Sequence, residues 1–476
     1  MADIGNYMRG LLKSKNIDIS GKRSRVFDEF INQEENMLDF SQIVSSQNAL
    51  ITKFMYKTKV FDIVNQHLPI PNGTVGKPYT YKFDISKLGH GEIIYTRIDH
   101  LEPYGLVYDN ETETISGTPI LSGDFKISLQ FKIKGESESL DLNQKPLTLV
   151  INADPKSLWK NIASDEGKAD EWKKNNFWKP DHAEAADALG EKHIVVSSKR
   201  GRSHANVGSF RDDDYAFKHF DDTGWSLVCV ADGAGSSKLS RQGSKLACEG
   251  IVSFFSDHLA DESFIQFDTL LKNHYEHATD TTQKELNVFL YNNLGKAVFS
   301  VHKNLQETAN QMEVPLKDFH STLIFALFKK YEFGYAILTF GVGDCPIGLL
   351  NKDMSEIKLM NWLDVGEFGG GTRFITMPEI FNSDKFPTRF GFKLIDDFSY
   401  LMLMTDGIYD PKFEVEANLE KLEQWKTFIA DLQGKNDDHI RVEFEAKNKK
   451  IAEQLSSWMD FWSPGNHDDR TLAIVF

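Results

Sequence analysis

Residues 230–237 read Val230-Ala231-Asp232-Gly233-Ala234-Gly235-Ser236-Ser237, and this stretch decides the fold of the larger part of the chain. It closes the apolar run Trp225-Ser226-Leu227-Val228-Cys229-Val230-Ala231, which has the length of a strand. The run stops on an acid followed by glycine, a residue that lets backbone approach a ligand closely and exposes a carbonyl. Working outward, the pattern recurs. Tyr335 to Phe340 leads through Gly341-Val342-Gly343 to Asp344, and Tyr400 to Met404 leads through Thr405 to Asp406-Gly407. In the opposite sense, Asp468-Asp469 stands just ahead of Thr471 to Val475, and Asp212-Asp213-Asp214 ahead of the Tyr215 run. Carboxylates drawn from such distant segments would repel strongly if buried together. They need cations, and ligands that are all oxygen select hard ones, Mg²⁺ or Mn²⁺. Two such ions a few ångströms apart activate a water and clamp a phosphoryl group. One Asp-Gly is usually a turn, but five acidic clusters bordering strands describe a site.

The composition fits a folded, multi-domain chain. At a prior of about 150 residues per domain, 476 residues make two or three domains. Hydrophobic residues at 41% and charged residues at 26% exclude a mainly disordered, collagenous or coiled-coil protein. A net charge of −16 argues against general binding to nucleic acid or an anionic membrane. Cys229, Cys248 and Cys345 are too few for a disulfide scaffold or a cysteine zinc site. The first thirty residues carry basic residues without a continuous apolar core, so no secretory signal is expected and the chain reads as cytoplasmic.

Four regions follow. Residues 1–66 are polar with apolar positions at partly helical spacing (Phe27, Phe30, Phe40, Ile43, Leu50, Phe54, Phe61 and Ile63 among them) and read as a helical extension. Residues 67–155 carry period-two runs, Tyr79 to Phe83, Phe125 to Phe131 and Leu147 to Ile151, with turns at Asp109-Asn110 and Ser122-Gly123-Asp124, the pattern of a small antiparallel sandwich. Residues 156–192, with Trp159, Trp172 and Trp178, read as an ordered connector. Residues 193–476 alternate strand-like runs with helical stretches: an apolar stripe after Ser240, a second helix over about 284–309, and a solvated helical insertion over about 414–460.

Two family resemblances rest on these residues. Gly105 to Phe125, with Ile115-Ser116-Gly117-Thr118-Pro119 at its centre, resembles the immunoglobulin-like repeat of bacterial multidomain proteins. Residues 193–476 resemble metal-dependent Ser/Thr protein phosphatases of the PPM (type 2C) class, bacterial variant. The motifs in order are Gly201-Arg202-Ser203-His204 with Gly208 and Asp212-Asp213, then Val230 to Ser237, Gly341-Val342-Gly343-Asp344, Met404 to Asp410, and His467-Asp468-Asp469-Arg470-Thr471. The fold so implied is an α+β domain, two stacked antiparallel sheets flanked by helices, preceded here by the immunoglobulin-like β-sandwich and the helical extension.

The same resemblance implies metal-dependent hydrolysis of phosphoserine and phosphothreonine in proteins by direct attack of activated water, without a phosphoenzyme. Asp232 would bridge two Mg²⁺ or Mn²⁺ ions and the Gly233 carbonyl would hold one of them. Asp406 and Asp468 would complete the second, Asp213 would support the first shell of ligands, and Asp344 would serve a looser third ion. Implied partners are a phosphorylated protein substrate, a Ser/Thr kinase and a von Willebrand-type protein. Three positions depart from the family pattern. The acid before Asp213 is Asp212, not Glu. Gly208 replaces a phosphate-binding Arg, leaving His204, Arg211 or Arg202 for that role. Ala234 stands where some members place a proton-donating His. These departures keep a second reading open, a pseudophosphatase scaffold that binds phosphoproteins or a kinase without turnover. The run Gly369-Gly370-Gly371-Thr372-Arg373-Phe374 lacks the Lys-Ser/Thr of a P-loop and reads as a loop beside the active site, a substrate flap. None of the three cysteines starts a Cys-x5-Arg loop, so cysteine-nucleophile chemistry is excluded.

Overall fold

The computed structural model describes residues 2–136, 141–164, 179–364 and 371–476. The chain forms two compact units, residues 1–158 and 159–476. Trp172, Trp178, Gly369 and Gly370 lie outside the described residues. Among the described residues no helix is long and apolar enough to cross a membrane.

The first unit opens with helices α1 (Ala2–Ser14), α2 (Arg23–Ile31) and α3 (Glu34–Asn65). Of its apolar positions, Phe27, Phe40 and Ile63 are buried, while Phe30, Ile43, Leu50, Phe54 and Phe61 are exposed. Seven strands follow: β1 (Gly73–Thr74), β2 (Tyr79–Lys82), β3 (Ile93–Ile98), β4 (Leu106–Asp109), β5 (Thr114–Gly117), β6 (Gly123–Ile133) and β7 (Asn143–Asn152). They make a four-stranded sheet, β1-β7-β6-β3, and a three-stranded sheet, β2-β5-β4. Period two is explicit in β6, where Ile127, Leu129, Phe131 and Ile133 are buried and the residues between them are not. One core holds residues of both sheets, including Phe83, Leu106, Ile115, Phe131 and Leu149, and Ile63 of α3 joins it. The aspartate at 109 is a turn residue, its Oδ1 accepting from Glu111 N (2.8 Å) and Thr112 N (3.1 Å).

A buried lysine ties α3 to these strands. Lys145 Nζ donates to the carbonyls of Ile63 (3.0 Å), Val64 (2.7 Å) and Gln66 (2.5 Å), satisfying groups that a helix C-terminus leaves open. Burial lowers its pKa.

The second unit contains, in chain order, β8 (His182–Leu189), β9 (Lys192–Lys199), α4 (Arg202–Val207), β10 (Asp214–Phe220), β11 (Trp225–Ala231), α5 (Ser240–His258), α6 (Glu262–Glu276) and α7 (Asp280–Gln311). After these come β12 (Leu323–Tyr331), β13 (Gly334–Val342), β14 (Ile347–Asn351), β15 (Ile357–Leu359), β16 (Phe390–Ile395) and β17 (Phe398–Met404). The chain ends with α8 (Asp406–Phe413), α9 (Leu422–Leu432), α10 (Ile451–Trp458) and β18 (Arg470–Val475). The strands form two sheets, β10-β11-β12-β13-β16 and β15-β14-β17-β18-β9-β8, paired antiparallel throughout.

Three cores stack these layers, and the strands explain why their sequences are apolar without alternation. In β11, Val228 and Val230 point into the core between the sheets, while Leu227, Cys229 and Ala231 point into a second core under α5, α6 and α7. In β17, Leu401 and Leu403 face the inter-sheet core and Met402 and Met404 face the third core, under α8, α9 and α10. Each central strand is buried on both faces, so both of its residue sets must be apolar.

Two sequence expectations change. The unit begins at Trp159, and β8, read as connector, pairs along its whole length with β9. The region 414–460 is not one helix, and beside its exposed Glu and Lys residues it packs an apolar face. Asn436 Nδ2 donates to Asp431 O (2.7 Å), Gly434 turns into the left-handed region (φ 104°), and the chain stays irregular until α10. Trp425, Phe428, Leu432, Leu455 and Trp458 are core residues there.

Replacing Lys145 with Met removes hydrogen bonds from a charged donor, each worth roughly 1.5–3 kcal/mol. Amide hydrogen exchange of the full chain is expected to show loss of protection in the last turn of α3 and in β7, with α5 and β11 unchanged.

Candidate active site

Antiparallel register brings the acids together. Asp214 pairs with Ala231, so Asp213 enters β10 beside the point where β11 leaves for Asp232. Met404 pairs with Leu472, which sets the exit to Asp406 against the entry from Asp468-Asp469. Beyond β11 the pairing continues as an isolated bridge, Gly233 to Ser321, flanked by Thr322 N to Asp232 O (2.8 Å) and Ala234 N to His320 O (3.0 Å). Carboxylate atoms of Asp232 and Asp344 and the Cys345 sulfur lie within 4.8 Å of one another, as do ligand atoms of His204, Asp468 and Asp469.

Neutral hydroxyl and backbone donors, together with a few buried cations, hold the acids in place. Asp213 is 1% exposed, and its Oδ2 accepts from Thr405 Oγ1 (2.9 Å) and Thr471 Oγ1 (2.7 Å). Thr471 is itself fixed by Ser198 Oγ (2.6 Å). Asp469 is the hub of the entry loops: Oδ1 accepts from Gly201 N (2.6 Å) and meets His204 Nδ1 (3.0 Å), and Oδ2 accepts from Asp212 N (2.5 Å). Asp344 Oδ2 accepts from Thr372 Oγ1 (2.9 Å). Its segment is anchored by a bidentate pair, Arg389 to Asp364 at 2.6 and 2.8 Å, with Gly343 N donating to Asp364 (2.9 Å). Beneath the cluster the buried Lys179 pairs with Asp214 (3.0 Å) and donates to Asp213 O (2.8 Å), Arg241 O (3.0 Å) and Ser244 Oγ (3.1 Å).

The motif glycines serve close packing. A Cβ on Gly407 would sit 1.9 Å from Asp469 O, and one on Gly233 would sit 2.7 Å from Asp212 O. Both keep negative φ, so the need is for space where four backbone segments meet.

Electrostatically the cluster is unbalanced. Burial, then Asp213, Asp406, Asp468 and Asp344, raise the Asp232 pKa well above the usual carboxylate range. Burial, then Asp468, Asp344 and Asp213, do the same to Asp406. Burial and then Asp469 lift Asp213 to about 7 and Asp212 to about 6. Asp213 Oδ1 and Asp406 Oδ1 are buried and accept no hydrogen bond among the described residues. Oxygens of this kind, aimed among other carboxylates, suit hard divalent cations and little else. Asp213, Asp232, Asp344, Asp406 and Asp468 are therefore the oxygen set that fits such ions, with the Gly233 carbonyl beside them.

Two residues expected to bind phosphate are placed otherwise. Arg211 is buried, 2% exposed, and donates to Ser198 O (3.2 Å), so its guanidinium is not presented to a substrate. His204 lies between Asp469 and Asp212 (Nε2 to Oδ2 3.8 Å). Burial opposes its charge, but Asp469 and Asp212 outweigh it and raise the ring to about 10, which makes it a standing counter-ion for carboxylates. Cys345 is a buried packing residue whose thiol is raised by burial. Sequence reasoning gave no role to Asp469, Thr405 and Thr471, although each stands in a quoted motif. Nothing in the sequence marked Lys179 or Thr322.

Residues 200–459, more than half of the chain, match the protein phosphatase 2C family. The chain belongs to that family and is a phosphoprotein phosphatase. No curated protein sequence matches it. Among solved structures it is similar to the serine/threonine phosphatase Stp1 from Staphylococcus aureus (13% identity, covering 63% of this chain and 98% of that one, TM-score 0.35). It is also similar to the catalytic domain of the phosphatase PstP in complex with two manganese ions (14%, 62% and 97%, 0.36). A third is the serine/threonine phosphatase of S. agalactiae (13%, 61% and 99%, 0.34).

A carboxyl whose folded pKa is raised contributes stability below its unfolded value and loses it as pH climbs through the folded one. EDTA-treated protein is thus expected to lose stability between about pH 4 and pH 7, the span from the ordinary aspartate value to that of Asp213. In calorimetry above pH 7, where the raised carboxyls ionise, Asp232→Asn is expected to raise the metal-free Tm by roughly 2–4 °C per kcal/mol of repulsion relieved, and to abolish the Mn²⁺-induced rise of wild type.

Proposed function

We propose that this site hydrolyses phosphoserine and phosphothreonine in proteins with two divalent cations, Mg²⁺ or Mn²⁺, held by Asp232, the Gly233 carbonyl, Asp406 and Asp468. Asp213 orients that set and Asp344 serves a further ion. The observation that carries this reading is the pair of buried carboxylate oxygens without a donor among the described residues, Asp213 Oδ1 and Asp406 Oδ1, on acids that interact with Asp232 and Asp468. Bound ions of this kind supply Lewis-acid activation of water and neutralise phosphoryl charge. The chain's own residues do the positioning. Thr405 and Thr471 fix the Asp213 carboxylate, and Asp469 ties the Asp212-Asp213 backbone to Asp468. Asp406 begins α8, where the helix dipole favours a negative side chain. Sequestered cysteines and the lack of a Cys-x5-Arg loop argue against a cysteine nucleophile, and direct displacement by water without a covalent phosphoenzyme is the route that the family resemblance implies.

The same reading takes residues 67–155 as an immunoglobulin-like module that binds or spaces. It names a Ser/Thr kinase and a von Willebrand-type protein as the partners and the cytoplasm as the compartment. The two sheets around one core in the first unit are in keeping with that module.

Purified full-length protein is expected to release phosphate from a phosphothreonine peptide with Mn²⁺, to stop with EDTA, and to lose at least about a hundred-fold in kcat as Asp232→Asn, in line with the weight of charge stabilisation in such sites. Activity that survives EDTA or the substitution contradicts the proposal.

A further inference from the structure

The phosphatase reading leaves open which side chain receives the substrate's phosphoryl oxygens. The candidates offered by the motif region are spent on the protein itself. Arg211 is buried and His204 is held between two carboxylates. Arg202 donates to Asp460 O (2.7 Å) and Phe461 O (3.2 Å), with its guanidinium 5.2 Å from the Trp462 ring centre. Deeper cations are engaged as well: Lys179 with Asp214, Arg389 with Asp364, and Arg470 with Phe461 O (2.8 Å).

A different segment borders the acids. Thr372 Oγ1 donates to Asp344 (2.9 Å), and the Phe374 ring stacks on His320, centroids 4.8 Å apart and planes 17° from parallel. Ile375 N donates to Ser321 O (2.9 Å), and Thr376 Oγ1 meets His320 Nδ1 at 2.5 Å. His320 and Ser321 in turn lie directly across from Ala234 and Gly233. Residues 372–376 are thus stitched at three points to His320 and Ser321, the segment paired with the chain just beyond Asp232, and at one point to Asp344. Between the first two stitches stands Arg373. It is exposed, and among the described residues it makes no hydrogen bond, ion pair or ring contact. Its backbone is fixed while its charge is free, and its planar fork matches two oxygens of one phosphoryl group.

We propose that Arg373 binds the substrate's phosphoryl group, donating both arms of its guanidinium to non-bridging oxygens. The proposal rests on the phosphatase reading and goes beyond it by naming the anion-binding residue.

The test uses full-length wild type, Arg373→Ala, Arg373→Lys and, as a comparison, Lys238→Ala, an exposed lysine on the turn after Gly233. Each is assayed with Mn²⁺ on a phosphothreonine peptide and on p-nitrophenyl phosphate, and for competitive inhibition by inorganic phosphate. In Arg373→Ala the phosphate Ki and both KM values are expected to rise by about ten-fold or more, as loss of a charged hydrogen-bond pair implies. Arg373→Lys should fall between, since it keeps the charge and loses the fork, and Lys238→Ala should stay within about two-fold of wild type. An unchanged phosphate Ki overturns the proposal, even if the peptide KM rises, because Arg373 would then read the peptide and not the phosphate. An equal effect from Lys238→Ala also overturns it, as general attraction of anions. Wild type that hydrolyses neither substrate sinks the phosphatase reading itself, whereas activity indifferent to position 373 sinks Arg373 alone.

Discussion

Five carboxylates at one end of a two-sheet sandwich repel one another, and much of the second unit is arranged to keep them there. Ordinary burial would scatter such groups to the surface or protonate them. Here strands buried on both faces fix the backbone so firmly that the acids at their ends have nowhere to go. Neutral hydroxyls of Thr405 and Thr471 and the backbone N–H groups at Gly201 and Asp212 hold individual oxygens without neutralising the cluster. The one buried ammonium beneath it among the described residues, Lys179, is directed at Asp214 and at carbonyls, so it stabilises the floor and makes no ion pair with Asp232, Asp406 or Asp468. Gly233 and Gly407 then let four backbone segments approach closely enough for the carboxylates to converge.

That arrangement trades stability for function. Three stacked cores supply the folding energy, and the repulsion at one end draws on it. Cations that bind there return what the repulsion removed and acquire a site whose oxygens are already in position. The bidentate Asp364–Arg389 pair and the Asp469 hub act in the same direction, since each fixes a loop that carries an acid.

Much of this was legible in the sequence, because strand ends and acids are both visible there. The runs before Asp232, Asp344 and Asp406, and the acids ahead of Thr471 and Tyr215, announced the sheets and their meeting point together. Tertiary partners were not legible. Arg211 and His204 looked like phosphate ligands because only position along the chain could be judged. In the fold one is buried on Ser198 and the other lies between Asp469 and Asp212. Lys179 carries no local signal, since its role depends on a neighbour 34 residues away at Asp213. The 414–460 region misled for a related reason. Its many Glu and Lys residues suggested a solvated helix, while the sparse Trp425, Phe428 and Trp458 that decide its packing were outvoted. Arg373 stood inside a glycine run that invited comparison with a phosphate loop, and only its neighbours' contacts place it at the acids.

The central claim is that this cluster exists to hold divalent cations. The most direct measurement is anomalous diffraction at the manganese edge from crystals of the full-length protein grown with Mn²⁺. The expected result is two strong peaks in contact with Asp232, Asp406 and Asp468, with Asp213 Oδ1 directed toward them. A map without anomalous density at these oxygens, with the carboxylates instead drawn together in proton-sharing pairs, would contradict it.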